Sequence, residues 1–186
     1  MQLVFDGHND VLLRLWRNAE AGGDPIAEMV NGTTAGHIDL PRAKAGGLAG
    51  GICAIYIPNT APLTLDAPNA KGEYATRLAP PLDRQPSLDI AIAKAAIALK
   101  LERAGVWKLC RSTADIRTAM SDGVFAAVLH MEGCEAIDTD LKALEVFYGA
   151  GMRSLGPVWS RNNAFGYGVP FAYPAHPDAG PGLTDA

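Results

Sequence analysis

Two runs of this 186-residue chain, Gly51-Ile52-Cys53-Ala54-Ile55-Tyr56-Ile57 and Val124-Phe125-Ala126-Ala127-Val128-Leu129, are apolar almost without interruption. A strand with one wet face alternates apolar and polar residues, whereas an unbroken apolar run has both faces covered. That is the condition of a strand inside a parallel sheet. Leu3-Val4-Phe5 is a third run of this kind. Arg153-Ser154-Leu155-Gly156-Pro157-Val158-Trp159 is a weaker fourth, because Pro157 cannot donate to a ladder and Gly156 packs nothing.

Helical patterns fill the intervals. One begins over residues 9–20. Residues 39–47 place Pro41 in a first turn and Gly46-Gly47 at the end. Over residues 87–104, Ile90, Ala93, Ile97, Leu101 and Ala104 form one apolar face, with Ser87 or Asp89 as cap and Gly105 as stop. Residues 112–121 and 138–148 supply two more. Strands alternating with helices predict an α/β fold with crossover connections and parallel pairing, in a single domain over residues 1–186. Residues 58–86 carry Pro58, Pro62, Pro68, Pro80, Pro81 and Pro86 and read as an irregular insertion of the kind that builds lids or substrate walls. A second irregular stretch covers residues 162–182.

A net charge of −4, without a basic stripe, gives no reason to expect nucleic acid. No apolar run approaches the roughly 18 residues that span a bilayer. The first strand begins almost at Met1 with no signal peptide before it, so with Met1 as the natural start the expected location is cytoplasmic. Cys53, Cys110 and Cys134 are odd in number and widely spaced, which fits neither a disulfide framework nor a zinc knuckle. Cys53 and Cys134 read as small core residues.

The candidate chemistry lies at strand ends. His8 and Asp10, in Asp6-Gly7-His8-Asn9-Asp10, are two residues apart at a strand tip and point the same way. They can share a metal ion, or Asp10 can cap the following helix while His8 is a hydrogen-bonded loop histidine. Asp6 can orient the turn, and Gly7 can permit close backbone approach. Glu132 ends the third run and precedes Gly133, a placement a site explains better than a salt bridge does. His130 shares its face one layer deeper and reads as a satisfied core histidine.

Taken in order, Asp6-Gly7-His8-Asn9-Asp10, Asp39-Leu40-Pro41-Arg42, Tyr56-Ile57-Pro58, Glu132-Gly133-Cys134-Glu135-Ala136-Ile137, Gly151-Met152-Arg153 and Gly182-Leu183-Thr184 resemble the membrane (renal) dipeptidase family of metallopeptidases. The resemblance spans essentially the whole chain. It implies a TIM-like (β/α)8 barrel of the metal-dependent hydrolase type with two zinc ions, cleaving dipeptides with broad side-chain tolerance. Some members also hydrolyse β-lactam-type bonds or D-amino-acid dipeptides. By that resemblance His8 and Asp10 hold one zinc, Glu132 bridges both as the catalytic carboxylate, and a hydroxide between the ions attacks the scissile carbonyl.

Tyr56 falls on the substrate wall. Trp159 stands where the family has a substrate-contacting histidine; it cannot take up a proton, which moves that role toward Arg161. The family draws two further zinc-binding histidines, a substrate-binding arginine and an aspartate from its second half. The chain accordingly reads as about four β/α units, cut after Ala186 behind a helix cap at Thr184 and carrying three of five expected metal ligands. His37 and His176 lie in loops at the wrong places to complete the set. The isolated piece is expected to be inactive, with a homodimer or a complementing C-terminal half as possible partner. Two alternatives stand beside it: a non-catalytic half-barrel that pairs with a partner chain, and another barrel hydrolase such as a deacetylase or phosphoesterase.

Overall fold

The computed structural model describes residues 2–175 and 180–186. Along the chain the elements are β1 (Val4–Asn9), α1 (Val11–Glu20), α2 (Pro25–Asn31), α3 (Leu40–Gly46), β2 (Leu48–Tyr56), β3 (Tyr74–Thr76) and α4 (Arg84–Arg103). Then follow β4 (Trp107–Leu109), α5 (Thr113–Ser121), β5 (Phe125–Glu132), α6 (Lys142–Gly149), β6 (Met152–Gly156) and β7 (Phe171–Tyr173).

The two apolar runs form the centre of the sheet. β2 and β5 pair in parallel without a slip from Gly50↔Ala126 to Tyr56↔Glu132. Gly50 allows this closeness, since a Cβ there would sit 2.3 Å from the Ala126 carbonyl oxygen. β1 pairs in parallel with β2. β4 and β6 pair in parallel with successive stretches of β5, Trp107 opposite Phe125 and Ser154 opposite His130. This is the expected α/β parallel sheet.

Alternation along the strands sorts the two faces. Cys53, Ile55, Leu129 and Met131 enter the main core with Leu12 and Leu15 of α1 and Ala98 and Leu101 of α4. The opposite face carries Ile52, Ala126 and Val128 against Ile116 and Ala119 of α5, and further along it carries Tyr56, His130 and Glu132. The cysteines are free and buried. Among the described residues no helix is long and apolar enough to cross a membrane.

Several boundaries differ from the sequence reading, each for a local reason. β1 runs through His8 to Asn9. α4 begins at Arg84, not Ser87, because Pro86 falls in its first turn where no intrahelical N–H is needed. Neither expected cap acts there: the Ser87 hydroxyl donates to the Asp83 carbonyl, and Asp89 accepts from Gln85. α6 begins at Lys142, since Leu141 turns left-handed (φ 60°) and Asp138 instead accepts from the Lys142 and Ala143 amides. β6 stops at Gly156, before the proline that cannot donate. The short elements α2 and β4 were not expected. The two irregular stretches meet: β3, inside residues 58–86, pairs antiparallel with β7, inside residues 162–182.

Lys94 of α4 is fully buried in this core. Its ammonium donates to the Tyr56 carbonyl and lies 5.2 Å from the Trp16 ring centroid. Burial pushes it down to about 7, against the pull of Asp10 and Glu132. Between that value and its ordinary 10.5 the unfolded chain holds a proton that the folded chain does not, so stability rises with pH. Urea denaturation from about pH 7 to about pH 9 should show a gain approaching about 1.4 kcal/mol per unit. Lys94→Met should lose that slope.

Candidate metal centre

Because β1 extends through His8, strand alternation rather than a loop aims the imidazole onto the sheet face that carries Glu132. His8 Nε2 lies 3.2 Å from Glu132 Oε2. Asp10 occupies the position before α1 yet makes no side-chain cap hydrogen bond. The neighbouring Asn9 does that work: its Oδ1 accepts from the Val11 amide at 3.3 Å, and its Nδ2 donates to Asp6 at 2.9 Å. Asp6 thus orients the turn, and Asp10 is left free. The close approach is at Gly51, where a Cβ would lie 2.9 Å from Asn9 Nδ2; at Gly7 a Cβ would meet nothing within 4 Å.

His8, Asp10 and Glu132 each offer a ligand atom, and these atoms lie within 4.8 Å of one another. Glu132 is the most enclosed of the three, and its buried Oε2 faces the His8 imidazole. Burial first, and then the Asp10 carboxylate, hold its carboxyl above the ordinary range, while His8 works the other way. A half-enclosed carboxylate beside a second carboxylate and an imidazole is a donor set suited to a divalent cation of the zinc type.

The surroundings sort the other candidates. His130 lies one layer deeper; its ring meets His8 edge-on at 5.5 Å and its Nδ1 pairs with Ser154 Oγ at 2.8 Å. Burial, with His8 beside it, pulls it below the usual histidine value, which favours the neutral ring. Tyr56 stands directly opposite Glu132 in the ladder. Its ring meets Trp159 edge-on at 4.9 Å, and Trp159 meets Phe171 at 5.8 Å. Burial raises the Tyr56 phenol, keeping it protonated.

Arg161 departs from the expected substrate-binding role. It is fully buried beneath these rings, with its donors taken by Glu135, Asn59 and the Ile57 carbonyl. The Cys134 thiol, pushed up to about 12 by burial, is inert beside the site. His37 lines a cleft next to Asp10 but does not join the cluster; His176 lies outside the described residues. Phe171, Glu135 and Lys94 were not singled out from the sequence. Lys94 lies on the face of α4 that the structure buries, with Ala91, Ala95, Ala98 and Leu101; of the expected face Ala104 is exposed and Ile90 and Ala93 are only half-buried, so the sequence pattern did not mark it.

A parallel α/β sheet with an imidazole and two carboxylates gathered at its strand tips has the layout of a barrel-type metallohydrolase. The comparisons are specific. The family model for membrane dipeptidase, peptidase family M19, matches residues 1–186, and the chain belongs to this family.

A solved dipeptidase AC of metallopeptidase family M19 is 46% identical, with a TM-score of 0.87 over 98% of this chain and 52% of its own. A metallopeptidase from Rhodobacter sphaeroides, solved with a phosphinate mimic of the dipeptide L-Ala-D-Ala, is 42% identical, with a TM-score of 0.85 over 98% and 53%. An uncharacterized protein in the PQQ-III 3′ region of Acinetobacter calcoaceticus is 36% identical over 97% of this chain and 56% of that protein. The chain therefore spans about half the length of these relatives, and its fold is part of a TIM-like barrel.

Glu132→Gln, neutral and of the same size, should weaken zinc binding by more than about tenfold in competition with a chromophoric chelator. In the unaltered protein, zinc affinity should climb as pH rises through and above the ordinary carboxylate range, because the ion displaces a proton that Glu132 holds more tightly than usual. The variant should flatten that climb.

Proposed function

We propose that this chain is the zinc-binding N-terminal half of a dipeptidase barrel, with His8, Asp10 and Glu132 as its share of a two-zinc site. The observation that carries the reading is the convergence of those three side chains at the strand tips of a chain in the membrane dipeptidase family. A bound ion supplies Lewis acidity toward the scissile carbonyl and toward water. Glu132, placed between the His8–Asp10 pair and Tyr56, is the ligand that reaches both sides of the site. The protonated Tyr56 hydroxyl can donate to a substrate oxygen, and Trp159 can exclude water from the reacting bond.

The remaining ligands belong to the other half of the barrel. The outer edges of β1 and β6 are where its strands would pair, whether they come from the same polypeptide, a complementing C-terminal half or a second copy. Residues 1–186 alone are proposed to be inactive, because they hold only part of the ligand set.

The experiment is a substrate panel on the longest natural polypeptide containing residues 1–186. Dipeptides should be cleaved, N-acyl amino acids and phosphoesters should not, and activity should vanish with a chelator and return with zinc. Cleavage of phosphoesters or N-acyl amino acids in preference to dipeptides would overturn the assignment. Zinc-dependent dipeptide cleavage by residues 1–186 alone would overturn the inactivity of the piece.

A further inference from the structure

We propose that Arg161 is a positioning residue, which sets substrate preference by holding a wall of Tyr56, Trp159 and Phe171 beside the Glu132 carboxylate. The inference rests on the dipeptidase reading above.

The guanidinium is wholly buried, and each of its three nitrogens has a partner. Nε donates to Glu135 Oε1 at 3.0 Å, and Nη2 lies 2.8 Å from the same oxygen. Nη2 also donates to the Ile57 carbonyl at 2.9 Å, and Nη1 donates to Asn59. One side chain thus joins the segments that follow β2, β5 and β6. Its Cζ lies 5.9 Å from the Tyr56 ring centroid and 5.8 Å from that of Trp159, so both rings rest on it.

The backbone around it gathers the two long irregular stretches as well. Arg161 bridges to Ala79, and a Cβ on Gly168 would fall 2.3 Å from the Arg161 nitrogen. The Val169 amide donates to the Trp159 carbonyl at 3.0 Å, which hangs β7, and with it Phe171, from the same point.

The wall stands one strand from the metal ligands, because Tyr56 is paired in register with Glu132. Neighbouring strands lie about 4.8 Å apart, so a ligand at Glu132 meets the rings. All three rings are only partly buried and have surface to offer. The cation behind them is neutralised by Glu135, itself wholly buried, so the wall carries no net charge. Such a surface accommodates an apolar side chain. An acidic side chain would instead face ring quadrupoles and the Glu132 carboxylate.

Arg161→Lys tests the role, since it preserves the charge opposite Glu135 but loses the planar fork that reaches the segments after both β2 and β5. In the zinc-loaded whole enzyme it should raise KM for a leucine-containing dipeptide about tenfold. It should leave kcat for glycylglycine within about twofold and zinc affinity unchanged. Trp159→Ala should erase the preference for leucine-containing over aspartate-containing dipeptides, and adding Arg161→Lys to it should cost little more, because the arginine acts through the ring. Phe171→Ala, on the ribbon, should show the same loss of preference and serves if the arginine variant fails to fold.

An equal fall on every dipeptide through kcat, full additivity of the two substitutions, or unchanged selectivity in all variants overturns the proposal while leaving the dipeptidase reading intact. A wild-type enzyme inactive on every dipeptide overturns that reading, and this inference with it.

Discussion

The in-register pairing of β2 with β5 is the constraint from which the rest of the site follows. A parallel ladder without a slip from Gly50↔Ala126 to Tyr56↔Glu132 leaves no freedom in which side chains share a face. A slip of one residue would turn Glu132 and His130 into the main core and bring Met131 to the site. Gly50 helps to hold the register, because only a residue without a Cβ tolerates the Ala126 carbonyl so near. Once the ladder is set, Glu132 meets His8 from β1 and stands beside Tyr56 from β2.

Around this ladder the chain buries two cations. Lys94 lies below the β2 tip and spends one donor on the Tyr56 carbonyl; Arg161 lies beyond it and spends its donors on the segments that follow β2 and β5. Their partners differ in kind. Arg161 has a carboxylate in full contact, so its charge is compensated where it sits. Lys94 has a carbonyl and an aromatic face, with the Asp10 and Glu132 carboxylates acting from farther away. The first arrangement fixes geometry, and the second leaves the amine easy to discharge.

Much of this was legible in the chain itself. Unbroken apolar runs identified β2 and β5, and the position of Glu132 after one of them marked it as a candidate site carboxylate. Pro41 in a first turn and Gly46-Gly47 at the end located α3, where the structure adds an Asp39 cap that accepts from the Arg42 amide. Other features rest on long-range contacts that no local pattern encodes. β4 is three residues long, too short for periodicity to register. Phe171 sits in a stretch without any pattern, and only pairing with β3 brings it to Trp159. Arg161 was legible as a charged residue near the site; its burial was not, because that depends on Glu135, Asn59 and Ile57 arriving around it. Asp10 shows the same limit, since either reading of it was open until Asn9 was seen to take the capping bond.

The hydrogen bond from Arg161 to the Ile57 carbonyl spans 104 positions of the chain. The strand pairing closes most of that loop beforehand, since Ile57 follows Tyr56 of β2 and Arg161 lies five residues beyond Gly156 of β6. The candidate ligands His8 and Glu132 lie in packed strands, whereas the aromatic side of the site adds to Tyr56 of the ladder this bond and a ribbon of two short strands. The site is thus divided between two tiers of cooperativity. Its His8–Glu132 side shares the stability of the core, and the short β3–β7 ribbon is the part whose opening would leave that core intact.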